Sequence, residues 1–140
     1  MPGPVLRKVD AIGLGVTDLE AGIRFYAQLG HGLLWRTETS AGLRLPDSDA
    51  EIMLQVERPE QEVDVLVEAV DEATRVIAEA GGSVLVEPFD ITIGRCSVVA
   101  DPWGNRLVLV DDSRGRLVTD AQHRVTGVTK DGWRSRRPRP

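Results

Sequence analysis

The sequence predicts an α+β protein built from two βαβββ units that form cupped mixed sheets. Two observations carry this. First, within about 55 residues the apolar pattern switches from period two to helical spacing and back to period two, the order strand, helix, strands. Second, that order runs twice. Val9-Asp10-Ala11-Ile12 aligns with Val63-Asp64-Val65-Leu66 at an offset of 54, Asp18 aligns with Asp71 at 53, and Met53-Leu54 aligns with Val108-Leu109 at 55. One such unit leaves a sheet face uncovered, so pairing two of them closes a core.

Residues 5–16 read as the first strand, with Ile12, Leu14 and Val16 alternating with Ala11, Gly13 and Gly15. Thr17-Asp18-Leu19-Glu20 reads as a capping box that opens a helix. Leu19, Ile23, Tyr26 and Leu29 give that helix an apolar face, and Gly30 and Gly32 end it. Residues 33–37, 42–45 and 51–56 read as short strands, followed by a polar break over 58–62. The second unit repeats the plan: a strand over 63–70, a helix over 71–80 with Ala73, Val76, Ile77 and Ala80 inward, a Gly81-Gly82 stop, and strands at 83–87, 95–100 and 106–111. The units span about 5–57 and 62–112 of a single domain over 1–112, and 113–140 form a basic C-terminal extension.

The chain has 140 residues, 41% hydrophobic and 28% charged, enough for one core without staples. Its single cysteine, Cys96, excludes a disulfide framework and a cysteine-rich zinc site. No apolar run is long enough to span a membrane, and Met1–Lys8 carry no apolar signal core, so a cytoplasmic protein is expected. Residues 1–113 hold 9 basic and 20 acidic side chains, a net of −11, whereas residues 114–140 hold 8 and 2, a net of +6. So acidic a body repels nucleic-acid phosphates and favours a cationic ligand. The extension reads as a solvated terminus, or as a basic arm for an anionic partner or for its own body.

Gly15-Val16-Thr17-Asp18-Leu19-Glu20 through Arg24-Phe25-Tyr26, and Asp101-Pro102-Trp103-Gly104-Asn105-Arg106-Leu107-Val108-Leu109, resemble the N- and C-terminal signatures of the vicinal-oxygen-chelate superfamily of glyoxalases, bleomycin-resistance proteins and extradiol dioxygenases. The resemblance covers about residues 5–112 and implies the glyoxalase/bleomycin-resistance fold. On its own, D-P-W-G-N is a turn between two strands. The resemblance also implies a divalent metal inside the cup, held from the first and last strand of each unit. The matching positions here are Ala11, Met53, Val65 and Val108, with Asp64 one residue from the third. These side chains offer no donor to a divalent ion, so no metal and no other cofactor is expected.

What remains is an apolar cup. Its expected lining is Ala11 and Gly13 as a low floor, Met53, Val65, Val67 and Val108 as apolar surface, and Trp35 and Trp103 to stack on a planar ligand. Arg44 and Arg95 are candidates to meet an acidic group, and Glu38, Glu51 and Gln55 a cationic or amide-bearing one. Cys96 reads as core, His31 as a residue of the helix-exit turn, and His123 lies in the extension. No nucleophile elbow or phosphate loop is present, and no catalytic residue is assigned. The leading expectation is a metal-free homodimer that binds an aromatic or cationic small molecule, as the resemblance to the bleomycin-resistance branch implies, with no nucleic-acid or membrane partner. The alternatives are a metal-independent isomerase or cyclase with Glu51, Asp64 or Glu68 as its acid or base, a metal-dependent glyoxalase or dioxygenase relative, and an interaction module using the basic arm. A perturbed carboxyl facing the cup favours the enzyme; a cup without one favours binding.

Overall fold

The structure is a computed structural model, and it describes residues 3–131. The chain runs β1 (Lys8–Gly15), α1 (Leu19–Gln28), β2 (Leu33–Arg36), β3 (Ser40–Arg44), β4 (Glu51–Gln55), β5 (Glu62–Leu66), α2 (Val70–Glu79), β6 (Ser83–Ile91), β7 (Gly94–Ala100), β8 (Arg106–Val110), β9 (Arg116–Thr119) and β10 (Val125–Thr129). The first eight strands form one mixed sheet in the order β2-β3-β4-β1-β5-β8-β7-β6. Within each unit the first and last strands pair in parallel, β1 with β4 and β5 with β8, while β1 and β5 pair antiparallel and join the two units edge to edge.

Each helix covers the outer strands of its own unit. Leu19 of α1 packs with Ala41, Leu43 and Leu54, and Val70 and Ala73 of α2 pack with Val65, Val67, Val99 and Leu109. The sheet's other face forms the cup, where Leu66, Cys96, Val98, Val108 and Val110 cluster. Strand alternation sorts β5 and β8 between these layers, so Asp64 and Val108 face the cup while Val65 and Leu109 face α2.

Several local expectations are corrected. Asp18, not Thr17, caps α1, its Oδ1 accepting the Ala21 N–H at 3.0 Å, and Glu20 pairs with Arg36 instead of closing a box. Asp and Thr are comparable caps, so their order in sequence does not choose between them. Leu29 falls at the helix end and is exposed, and Ala80 likewise lies exposed past the end of α2. β6 runs four residues longer than predicted, through Pro88; it is an edge strand with shifted register, where a missing N–H is tolerated. Part of the C-terminal extension is folded: β9 and β10 form a hairpin whose tip reaches the β2 edge, with the Arg36 N–H donating to the His123 carbonyl at 2.8 Å. Residues 132–140, with the remaining arginines of the extension, lie outside the described residues.

Candidate functional site

The cup holds a cavity of about 370 Å³ over the second unit, lined by Met53, Arg58, Glu62, Asp64, Val86, Phe89, Ile91, Cys96, Val98, Arg106, Val108 and Val110. Eight of these twelve are apolar or a thiol, and the polar group at the bottom is a pair of carboxyls on β5. Glu62 and Asp64 stand two residues apart on one strand and therefore on one face. Across the β1–β5 ladder Glu62 sits opposite Gly13, and Asp64 opposite Ala11. The small residues on β1 make room for them. A Cβ on Gly13 would lie 2.5 Å from Glu62 Cγ, so the Glu62 side chain occupies the space above that glycine.

The two carboxyls are treated differently by their surroundings. Arg58 Nε donates to Glu62 Oε1 at 2.9 Å, an ion pair with Glu62 buried and Arg58 partly exposed. The turn that carries Arg58 is held by the buried Gln55, whose Oε1 accepts the N–H groups of Glu57 and Arg58 at 2.7 Å each. Asp64 has no such cation against it. It is only 6% exposed, and its Oδ1 is buried without a hydrogen-bond partner among the described residues. Burial first, then the hydrogen bond and the charge of Glu62, push the Asp64 carboxyl up to about 8 from an ordinary 3.8. Asp64 therefore favours its protonated form, beside a Glu62 that is paired with Arg58. Burial likewise pushes the Cys96 thiol up to about 12, which removes it as a nucleophile.

The structure separates the residues expected in the cup into three groups. Met53 and Val108 line the cavity, and Ala11 and Gly13 lie beneath the carboxyl pair. Val65 does not face the cup; it packs against α2, and Asp64 takes its place because a one-residue step in a strand changes face. Trp35, Trp103, Arg44 and Arg95 are also not among the lining residues. Trp35 lies over Gly42 and donates from its indole to Glu51 Oε1 at 2.7 Å, filling the first unit's half of the cup. Trp103 is 83% exposed in the β7–β8 turn. Arg44 ends β3, where its carbonyl meets His31 Nδ1, and Arg95 is tied to Asp71 and Asp90 on the outside. Glu68 lies at a separate surface depression with Arg7 and Val76. Sequence reading missed Arg58, Glu62 and Arg106 as cup residues. The signal for Glu62 was its i, i+2 spacing from Asp64.

The divalent metal implied by the resemblance does not fit this donor set. Of the positions that face one another in the cup, Ala11, Met53 and Val108 bring no oxygen or nitrogen, and Glu62 is bonded to Arg58. No group of three or more His, Cys, Asp or Glu side chains among the described residues is arranged to hold an ion. No helix among them is long and apolar enough to cross a membrane.

No curated protein matches the chain. Among solved structures it is similar to methylmalonyl-CoA epimerase from Mycobacterium tuberculosis, with 22% identity, a TM-score of 0.67, and 79% of this chain and 92% of that one covered. A variant Streptomyces coelicolor methylmalonyl-CoA epimerase in complex with 2-nitronate-propionyl-CoA gives 23% identity, a TM-score of 0.64, and coverage of 77% and 99%. The Mn(II)-bound glyoxalase from Novosphingobium aromaticivorans gives 20%, 0.57, and coverage of 78% and 40%. At these identities the likeness is one of fold. A family profile described as the Glyoxalase/Bleomycin resistance protein/Dioxygenase superfamily matches residues 8–109. Two βαβββ units joined through β1 and β5 around one cup, together with that match, place the chain in the glyoxalase/bleomycin resistance protein/dioxygenase superfamily.

Proposed function

We propose that the protein is a metal-independent enzyme that moves a proton on a small molecule, an isomerase- or cyclase-type reaction, and that it works as a homodimer. One observation carries the reading: a buried carboxyl, Asp64, with a free oxygen at the bottom of an apolar cavity and a second carboxyl beside it. A carboxyl of raised proton affinity beside a second one paired with a cation is a recurrent acid–base arrangement. Protonated Asp64 donates to an oxygen of the bound molecule as negative charge develops there. Glu62, paired with Arg58, takes a proton from a neighbouring atom. A proton passed from Glu62 to the adjacent Asp64 restores the pair, so it ends as it began and no oxidant or reductant is consumed.

The apolar walls favour a second reading, the sequestering of an antibiotic or other natural product without turnover. One experiment separates the two. A panel of small carbonyl compounds with acidic C–H bonds is incubated with the protein in heavy water, and deuterium uptake is followed by NMR. Uptake that depends on the protein and is lost in Asp64→Asn supports proton transfer. Binding with no uptake across the panel supports sequestration.

A further inference from the structure

We propose that the cup takes a small carboxylate, anchored by Arg106 at its mouth. The inference rests on the cup as the reacting site and names the class of molecule that enters it. Arg106 lies on β8 two residues before Val108, on the same strand face, and lines the cavity. Val108 in turn is the ladder partner of Asp64. Arg106 precedes Val108 on β8 as Glu62 precedes Asp64 on the parallel β5, so a group held by Arg106 lies on the cavity side that carries the carboxyl pair.

Charge in the cavity points the same way. It has two cations and two carboxyls. Arg58 and Glu62 neutralise each other through their 2.9 Å contact. Asp64 has an oxygen with no partner in an apolar surround, a place where a carboxyl is tolerated in its neutral form. Arg106 is exposed, and among the described residues no hydrogen bond or ion pair is made to its side chain, so its guanidinium is open to a ligand at the cavity. The acidic body as a whole favours a cation, but a charge lining the cavity outweighs distant ones that solvent screens within roughly 8–10 Å. A planar guanidinium also matches a carboxylate with two parallel hydrogen bonds. The occupant that satisfies walls and mouth together has a compact apolar body and one carboxylate.

The test uses 4-phenyl-2-oxobutanoate and its primary amide, which share shape and the acidic C–H but differ in charge. Binding to the full chain is measured by calorimetry, and deuterium uptake at the carbon next to the ketone by NMR. The wild type is expected to bind the acid at least about tenfold more tightly than the amide, the worth of one charge-assisted contact. Arg106→Gln is expected to bind the two equally, Arg106→Lys to keep part of the preference, and Asp64→Asn to keep all of it. Equal binding of acid and amide by the wild type overturns the proposal. A preference that survives Arg106→Gln does so too, as does failure of the acid to bind. A preference for the acid without deuterium uptake leaves the anion site standing and removes the proton-transfer reading. Equal uptake on acid and amide with equal binding does the reverse.

Discussion

Arg58 Nε lies 2.9 Å from Glu62 Oε1, so one of two neighbouring carboxyls in the cup has a guanidinium bonded to it and the other does not. Glu62 has a cation against it; Asp64, two residues along the same strand, has burial and the Glu62 charge instead. A pH-dependent stability follows. The Asp64 carboxyl is raised to about 8 in the folded chain from an ordinary 3.8. Between these values the folded chain holds a proton that the unfolded chain has released. Stability is therefore fullest below the lower value, falls by up to about 1.4 kcal/mol per pH unit through the window, and levels off above the upper one. The other groups facing Asp64 are Asp10, which adds to the rise, and Arg58, which opposes it. Asp64→Asn does not titrate, so its melting temperature is expected to vary less with pH and to exceed that of the wild type most clearly at pH 8. Thermal melts of both proteins from pH 5 to 9 check this; parallel profiles count against it.

Gly13 and Glu62 are expected to be energetically coupled. The floor of the cup over Gly13 is not open space, because a Cβ there would lie 2.5 Å from Glu62 Cγ and 3.5 Å from Met53 Cε. Gly13→Ala is expected to cost about 1–3 kcal/mol in the wild type, as overpacking does. In a Glu62→Ala background the same change is expected to cost little, giving a coupling of at least about 1 kcal/mol. Urea unfolding of the four proteins of this cycle measures it, and additive effects would show that Glu62 lies elsewhere in solution.

Asp111 holds together the end of β8, the start of α2 and the start of β7. Its buried carboxylate accepts the Val70 N–H at 2.9 Å, the Arg95 N–H at 3.0 Å, and the Ser113 hydroxyl at 2.7 Å. Val70 is the first residue of α2, and the N-cap of that helix, Ala69, has no side-chain acceptor of its own. Asp111→Ala strands the buried Val70 N–H and two part-buried donors and is expected to cost about 1–3 kcal/mol. Asp111→Asn, which keeps one acceptor, is expected to cost less. Chemical denaturation of both variants is the check, and a loss below about 0.5 kcal/mol for Asp111→Ala would show that water replaces the carboxylate.

Much of the fold was legible because each unit pairs period-two strands with a period-3.6 helix, and the pattern repeats at a near-constant offset. The alternation Ile12, Leu14, Val16 located β1, and Leu19, Ile23 and Tyr26 located the buried face of α1. The site was less legible for physical reasons. Facing in a strand has a period of two, so one residue of uncertainty in β5 exchanges Val65 for Asp64 and turns an apolar cup into an acidic one. The β1–β5 ladder carries a register shift between Val9 and Ala11 that repeat offsets do not reveal. Arg58 was out of reach because its position depends on Gln55 holding the turn, a tertiary contact. Trp35 reads as a ligand platform from composition, yet it lies down on Gly42, a contact between two different strands.

Helix α1 covers β3, β4 and Leu14 of β1, and α2 covers the outer strands of the second unit and Val65 of β5, which leaves the stretch of the central seam around Ile12 and Val63 exposed. Ile12 and Val63 are ladder partners and are 42% and 38% exposed, and Val9 is 42% exposed beside Val65. Apolar side chains gathered on a central seam, not scattered, mark an interaction surface. A second copy presenting the same seam about a twofold axis covers both at once, the commonest closed arrangement of identical chains. Light scattering coupled to gel filtration is therefore expected to return about twice 15.3 kDa for the wild type. Ile12→Asp with Val63→Asp is expected to return 15.3 kDa with the helical circular-dichroism signal retained, since both side chains are already partly exposed. A wild-type mass of one chain at micromolar concentration would sink the idea, and so would a double variant that stays dimeric, because the interface would then lie elsewhere, for instance along the exposed edge strand β6.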